Sequence, residues 1–186
     1  MTGPLLMLSA AISFTFMSIL VKLMPTGYTV WHLGFIRCFG GMLVLLLFFG
    51  RKNNPYKGYN IPLLILRGCS GAIAFFAVVT AVRILPISTA IVLFYSYPVF
   101  AGLFGFLIYK EKITLFQAGC MAALVVGVTV LFDFRFTGSG FGQIMAIVGA
   151  VFAGLTVTLI RSLIKTNGPV IIYLYFCTMG MLLTLP

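Results

Sequence analysis

Residues 87 to 109 read ISTAIVLFYSYPVFAGLFGFLIY, an apolar run without a charged side chain. Such a run exceeds the roughly 20 apolar residues that an α-helix needs to cross the hydrocarbon core of a bilayer. Pro98 stands near its middle and has no backbone N–H, so the carbonyl of Phe94 loses its helical partner. The stretch therefore predicts a transmembrane helix that kinks at its centre.

The rest of the chain has the same composition. Of its 186 residues, 62% are hydrophobic and 8% are charged, and the mean hydropathy is +1.19. Soluble domains contain about 25% charged residues, so this composition predicts an all-α integral membrane protein whose main partner is the lipid bilayer. The net charge is +10, but the basic residues lie singly or in small groups at the ends of apolar runs. That distribution argues against a nucleic-acid partner.

Polar residues divide the chain into seven predicted transmembrane helices. They cover residues 4–23, 29–50, 61–82, 87–109, 115–132, 140–160 and 169–186. The basic residues near their ends favour one side of the membrane, which receives Arg51, Lys52, Lys57, Arg67, Lys110, Lys112, Arg161 and Lys165, over the other, which receives Lys22, Arg83 and Arg135. Because cytoplasmic loops carry the excess of Lys and Arg, we expect a multi-pass protein of the cytoplasmic (inner) membrane with its N-terminus in the cytoplasm.

The sixth helix resembles the first when the chain is shifted by 139 residues. The offset pairs Gly3 with Gly142, Lys22 with Arg161, Cys38 with Cys177, Gly41 with Gly180 and Met42 with Met181. A module of five helices is odd-numbered, so its second copy must start on the opposite side of the membrane. Residues 1–139 are thus interpreted as a five-helix module, and residues 140–186 as the first two helices of an inverted second copy. A complete ten-helix transporter would need roughly 280 residues by this repeat arithmetic, so the sequence is interpreted as incomplete.

Residues 81 to 128 run from the end of the third predicted helix into the fifth and contain prolines, glycines and one acidic residue at characteristic positions. In chain order these residues are Pro86, Pro98, Glu111 between Lys110 and Lys112, Gly119 and Gly127. Together with FIRCFGG (35–41) and the pair Arg67 and Gly68, the pattern resembles the drug/metabolite transporter (DMT) superfamily, and within it the EamA-like transporter family. The resemblance implies two inverted five-helix repeats that move small metabolites by alternating access through a central cavity walled by both.

Arg37 and Arg67 are candidate substrate-binding residues because each lies well inside an apolar helix. A charged side chain at that depth is costly unless it has a partner. Either guanidinium could bind an anionic group of a substrate. Alternatively, the long stem could carry the guanidinium back to the membrane surface, and both interpretations stay open.

Phe94, Tyr95 and Pro98 are the other candidate substrate-binding residues. A carbonyl freed by Pro98 at mid-membrane can meet substrate or water in a cavity, whereas lipid-facing backbone could not tolerate it. Tyr95 and Tyr97 lie about 200° apart on a regular helix, so both face one cavity only if the kink reorients them. Tyr95 is the preferred contact for an organic ligand. The alternatives are a packing kink and a tyrosine that bonds to a neighbouring helix.

The inventory of reactive side chains favours transport over enzyme chemistry. Glu111 and Asp133 are the only acidic residues and lie at helix ends, so no mid-membrane carboxylate is available for proton coupling. The single histidine has no acidic partner, and the four cysteines show no CxxC spacing, so we expect no enzyme activity, metal site or cofactor. The sequence predicts a secondary transporter of small organic metabolites that works by exchange or facilitated diffusion. The alternative is a non-transporting fragment or assembly subunit that requires a partner chain, in a homo-oligomer for example.

Overall fold

The computed structural model describes residues 2–25, 27–49, 57–110, 112, 114–131 and 139–184. Within these residues it contains eight helices and no strand. The helices are α1 (Thr2–Leu23), α2 (Val30–Phe49), α3 (Ile61–Ile84), α4 (Ile87–Phe94), α5 (Tyr97–Tyr109), α6 (Leu115–Leu131), α7 (Gly140–Leu163) and α8 (Pro169–Thr184). Their bounds lie within a few residues of the seven predicted segments, with α4 and α5 sharing the fourth, so the all-α prediction is confirmed.

Four of these segments are long and apolar enough to cross a membrane. They are Val30–Phe48, Ile61–Ile84, Ile87–Tyr109 and Gly140–Leu163. The other three, within α1, α6 and α8, are shorter apolar helices. The prediction of a multi-pass membrane protein is thereby supported. Several residues used in the sequence analysis lie outside the described residues, namely Arg51, Lys52, Glu111, Asp133 and Arg135.

Helix α3 forms the centre of the bundle and packs against α7 and α8. Small residues make this possible: a Cβ at Gly68 would lie 2.8 Å from the carbonyl oxygen of Tyr175 on α8. A Cβ at Gly149 on α7 would meet the backbone of α3 at 3.3 Å. Ser70 and Thr156, both buried, add a hydrogen bond of 2.9 Å between α3 and α7. Close backbone approach and one interhelical hydrogen bond thus hold the centre together, as is typical of helices packed in lipid.

The fourth apolar segment is interrupted rather than merely bent. Helix α4 ends at Phe94 and α5 begins at Tyr97. Between them, the Ser96 N–H and hydroxyl both donate to the carbonyl of Leu93, at 3.2 and 2.7 Å. Pro98 occupies the first turn of α5, where a missing N–H costs nothing. The proline therefore starts a new helix, which is the extreme form of the predicted kink.

Helix α7 packs directly on this interruption. A Cβ at Gly154 would lie 2.9 Å from the carbonyl oxygen of Tyr97 and 2.8 Å from the backbone nitrogen of Ala101. One turn further on, the Thr158 hydroxyl donates to the carbonyl of Ala101 at 3.1 Å. The start of α5 is therefore held by backbone contact that only glycine permits.

Helices α2 and α8 are in contact at two points, and at each point a glycine of one helix faces a cysteine of the other. A Cβ at Gly41 on α2 would lie 3.2 Å from the Sγ of Cys177 on α8. Conversely, a Cβ at Gly180 on α8 would collide with the Sγ of Cys38 on α2. Each cysteine is buried. The same two residue types therefore face each other twice across this helix pair.

Candidate functional site

A cavity of about 340 Å³ lies between α1, α2, α3, the α4–α5 interruption, α7 and α8. Four of the five predicted substrate-binding residues line it, namely Arg37, Arg67, Phe94 and Tyr95. Most of the remaining wall is apolar and aromatic, and it includes Phe14, Phe75, Tyr97, Phe176 and the hydroxyl-bearing Thr156. Concave sites with apolar walls and a few polar groups are typical of small-molecule binding.

Arg37 extends from α2 into this cavity rather than back along its helix. Its guanidinium carbon lies 4.5 Å from the ring centre of Phe75 on α3. Its Nη1 donates to the Sδ of Met17 at 2.8 Å, although a thioether is only a weak acceptor. Its Nε is buried without a hydrogen-bond partner. The guanidinium is thus stacked on one face and incompletely hydrogen-bonded.

Arg67 has a parallel arrangement on α3. Its guanidinium carbon lies 5.0 Å from the ring centre of Phe176 on α8, and both its Nε and its Nη1 are buried without a hydrogen-bond partner. Gly71, one helical turn away, leaves room for it: a Cβ there would lie 3.2 Å from the Arg67 Nη1. The spacing of arginine and glycine by four residues is the sequence signal for this arrangement, because residues i and i+4 share a helix face.

Other basic side chains in the bundle are satisfied by the backbone. The Lys22 Nζ donates to the carbonyls of Val82 and Leu85, at 3.0 and 2.8 Å, and so caps the C-terminus of α3. Arg83 donates to the carbonyls of Pro25 and Tyr28 between α1 and α2. Lys22 and Arg83 thus donate to backbone carbonyls, whereas each cavity arginine keeps at least one buried N–H group without a hydrogen-bond partner.

The cavity is therefore electropositive as well as aromatic. The chain's two acidic residues both lie outside the described residues, so in the part that the structure describes neither cavity guanidinium faces a carboxylate. Removing a charge from water costs several kcal/mol unless other groups compensate it. A favourable arrangement needs a negative partner that these residues do not supply.

The interruption turns two tyrosines toward the same cavity. Phe94, Tyr95 and Tyr97 form an aromatic cluster with ring centres 5.8 to 6.5 Å apart. Tyr95 and Tyr97 both line the cavity, which a continuous helix would not allow. Pro98 itself lines a neighbouring cavity of about 400 Å³ between α5, α6 and α7. The structure thus separates Pro98 from the other four candidates.

Sequence reasoning missed the aromatic residues that hold the arginines. Phe75 and Phe176 stack on Arg37 and Arg67, and Phe14 completes the wall. The chain has 19 phenylalanines, most of them in helices that could face lipid, so composition gives no reason to select these three. Thr156 was also missed, because a threonine inside an apolar helix usually bonds to its own backbone.

Comparison with known proteins shows the family to which this chain belongs. The model of the EamA-like transporter family matches residues 1–133, and the chain belongs to that family, as its sequence features predicted.

Two of the proteins with similar sequences have names that fit this family, an exporter and a solute carrier. The chain is 25% identical over 186 residues to the pseudopaline exporter CntI of Pseudomonas aeruginosa, covering 100% of this chain and 66% of the exporter. It is 27% identical over 190 residues to solute carrier family 35 member G1 of Homo sapiens, covering 94% of this chain and 52% of the carrier. The chain therefore spans less than two thirds of the length of these relatives. No solved structure gives a match.

Proposed function

We propose that this chain carries small organic metabolites across the membrane by alternating access, with the cavity lined by Arg37, Arg67, Phe94 and Tyr95 as its substrate site. The observation that carries the proposal is the convergence of four side chains, from two helices and a helix interruption, on one aromatic cavity. Interrupted helices at substrate sites are characteristic of secondary transporters. The family and the relatives named as an exporter and a solute carrier support the same class.

We further propose the architecture of two inverted repeats, with residues 1–139 as the first and residues 140–186 as the start of the second. The contacts between α2 and α8 support it. Cys38 and Gly41 are the counterparts of Cys177 and Gly180 in the 139-residue repeat, and each cysteine contacts the glycine of the other helix. A two-fold relation between the repeats makes such contacts reciprocal.

The transport mode we propose is exchange or facilitated diffusion in the inner membrane, with the N-terminus in the cytoplasm. In the described residues the cavity lining contains no carboxylate or histidine that could carry a coupling proton. Arginine stays protonated and cannot act as a proton carrier. Substrate gradients are therefore the driving force that this lining supports.

Reconstitution of the purified chain in liposomes tests the proposal. Vesicles loaded with a bacterial metabolite extract would be incubated in buffer, and the compounds that leave would be identified by mass spectrometry. We expect saturable efflux of a subset of compounds, reduced about 5-fold or more by Tyr95→Ala, because an aromatic contact contributes about 1 kcal/mol or more. Tyr109→Ala, at the far end of α5, is the matched control. Efflux no faster than from loaded vesicles without protein would favour the assembly-subunit alternative.

A further inference from the structure

The chemistry of the substrate can be narrowed from the two cavity arginines. Their charges face one cavity, and their N–H groups are incompletely used: the Arg37 Nε and the Arg67 Nε and Nη1 have no hydrogen-bond partner. Lys22 and Arg83, by contrast, donate to backbone carbonyls. Among these four side chains, only the cavity pair keeps buried N–H groups without a hydrogen-bond partner.

We propose that Arg37 and Arg67 form a two-point site for a small organic dianion that carries two carboxylates. This inference rests on the proposed function, in which the cavity holds the transported substrate. Two guanidiniums place two partly buried positive charges at one cavity, and two carboxylates neutralise both. A monoanion leaves one charge uncompensated, and a cationic substrate adds to the repulsion.

The stacking of the arginines supports carboxylate as the partner group. Phe75 and Phe176 cover faces of the two guanidiniums, with ring centres 4.5 and 5.0 Å from the guanidinium carbons. Cation–π contact uses the face of the planar group, whereas hydrogen bonds leave from its edge. The rings therefore leave the edges of the guanidiniums uncovered, and an edge is what a guanidinium presents to the two oxygens of a carboxylate in a bidentate pair.

The size and lining of the cavity indicate an organic body between the two anionic groups. A volume of about 340 Å³ is that of a metabolite-sized site rather than of a single inorganic ion. The remaining lining is largely apolar or aromatic, including Phe14, Phe94 and Tyr95. Such walls favour a short carbon chain or a ring that joins the two carboxylates.

Thermal unfolding of the purified chain in detergent tests this proposal without requiring transport. The probes are two dicarboxylates, glutarate and isophthalate, each compared with its monoamide and its diamide at equal ionic strength. These series keep the carbon skeleton and change the number of negative charges. We expect at least one dicarboxylate to raise the unfolding temperature in a saturable way, its monoamide to bind more weakly, and its diamide to have no effect.

Variants assign the effect to the two arginines. Arg37→Gln and Arg67→Gln should each weaken dicarboxylate binding about 10- to 100-fold, because each removes charged hydrogen bonds. Arg67→Lys keeps the charge but loses the planar fork, and should lie between Arg67→Gln and the wild type. Arg83→Gln is the matched control, which should retain the dicarboxylate effect, since Arg83 bonds to the α1–α2 connection.

The possible outcomes separate this inference from the proposed function. A diamide that stabilises as well as its dicarboxylate, a series without any stabilising member, or a dicarboxylate effect that survives both glutamine variants would overturn the dianion site. Saturable efflux of neutral or cationic compounds, with no dicarboxylate effect, would support the proposed transport and contradict the dianion site. Dicarboxylate binding without efflux from liposomes would support the dianion site and contradict the proposed transport.

Discussion

The guanidinium carbon of Arg67 lies 5.0 Å from the ring centre of Phe176, so α3 and α8 meet at a stacked cation. A cation–π contact of a desolvated arginine contributes about 2 kcal/mol. The contact orients the guanidinium across the cavity and joins the central helix of the bundle to the last one.

The stacking contact itself can be measured by a double-mutant cycle. Phe176→Leu keeps an apolar side chain but removes the ring, and we expect its effect to be coupled to Arg67→Gln by about 1 to 2 kcal/mol in the free energy of unfolding. Unfolding of all four chains in detergent gives the coupling energy. Phe106→Leu, at a half-exposed position on α5, is the control for loss of a ring. Additive effects of Phe176→Leu and Arg67→Gln would show that the two residues do not interact.

Removal of the charge should stabilise the ligand-free chain. Burial of an unpaired guanidinium costs several kcal/mol, more than the roughly 2 kcal/mol that stacking returns. We therefore expect Arg67→Met, which keeps a long apolar side chain, to raise the free energy of unfolding by about 1 to 3 kcal/mol in the absence of ligand. Thermal or denaturant unfolding checks this. A less stable Arg67→Met chain would mean that Arg67 has a structural rather than a binding role.

The contact between α7 and the start of α5 should tolerate only glycine. Gly154→Ala places a Cβ against the backbone of Tyr97 and Ala101, so the two helices must separate. We expect a loss of about 1 to 3 kcal/mol in the free energy of unfolding, as for other overpacked sites. Gly127→Ala on α6 meets no atom within 4 Å and should be neutral or slightly stabilising. Equal stabilities of the two variants would contradict the close packing of Gly154 against the start of α5.

The α2–α8 contact offers a comparison between adjacent glycines. A Cβ at Gly41 would lie 3.0 Å from the hydroxyl of Tyr173 and 3.2 Å from the Sγ of Cys177, whereas a Cβ at Gly40 meets nothing within 4 Å. We expect Gly41→Ala to be the more destabilising of the two, by about 1 kcal/mol, and Gly40→Ala to have little effect. Unfolding curves of the two variants give the difference. If Gly40→Ala were the more destabilising, α2 would present a different face to α8.

Helix positions were predictable because their causes are local. Apolar runs of sufficient length must become helices in a bilayer, since every backbone polar group needs a partner within the segment. A kink near Phe94 was predictable for the same reason: the missing N–H of Pro98 removes the partner of the Phe94 carbonyl. Only its full extent, with a new helix that starts at Tyr97, required the structure, because Gly154 of α7 packs against that turn.

The convergence of the site could not be predicted from the chain alone. Arg37 and Arg67 belong to different helices, and each stem is long enough to reach either the cavity or the membrane surface. Their direction depends on which aromatic side chains neighbouring helices present, and among 19 phenylalanines nothing local distinguishes Phe75 and Phe176. The sequence by itself determined the membrane helices, the kink at Pro98 and the identity of the buried cations, because these depend on hydropathy and on single-residue chemistry. The tertiary structure decided that the two cations share one aromatic cavity, because helix packing alone sets which faces meet.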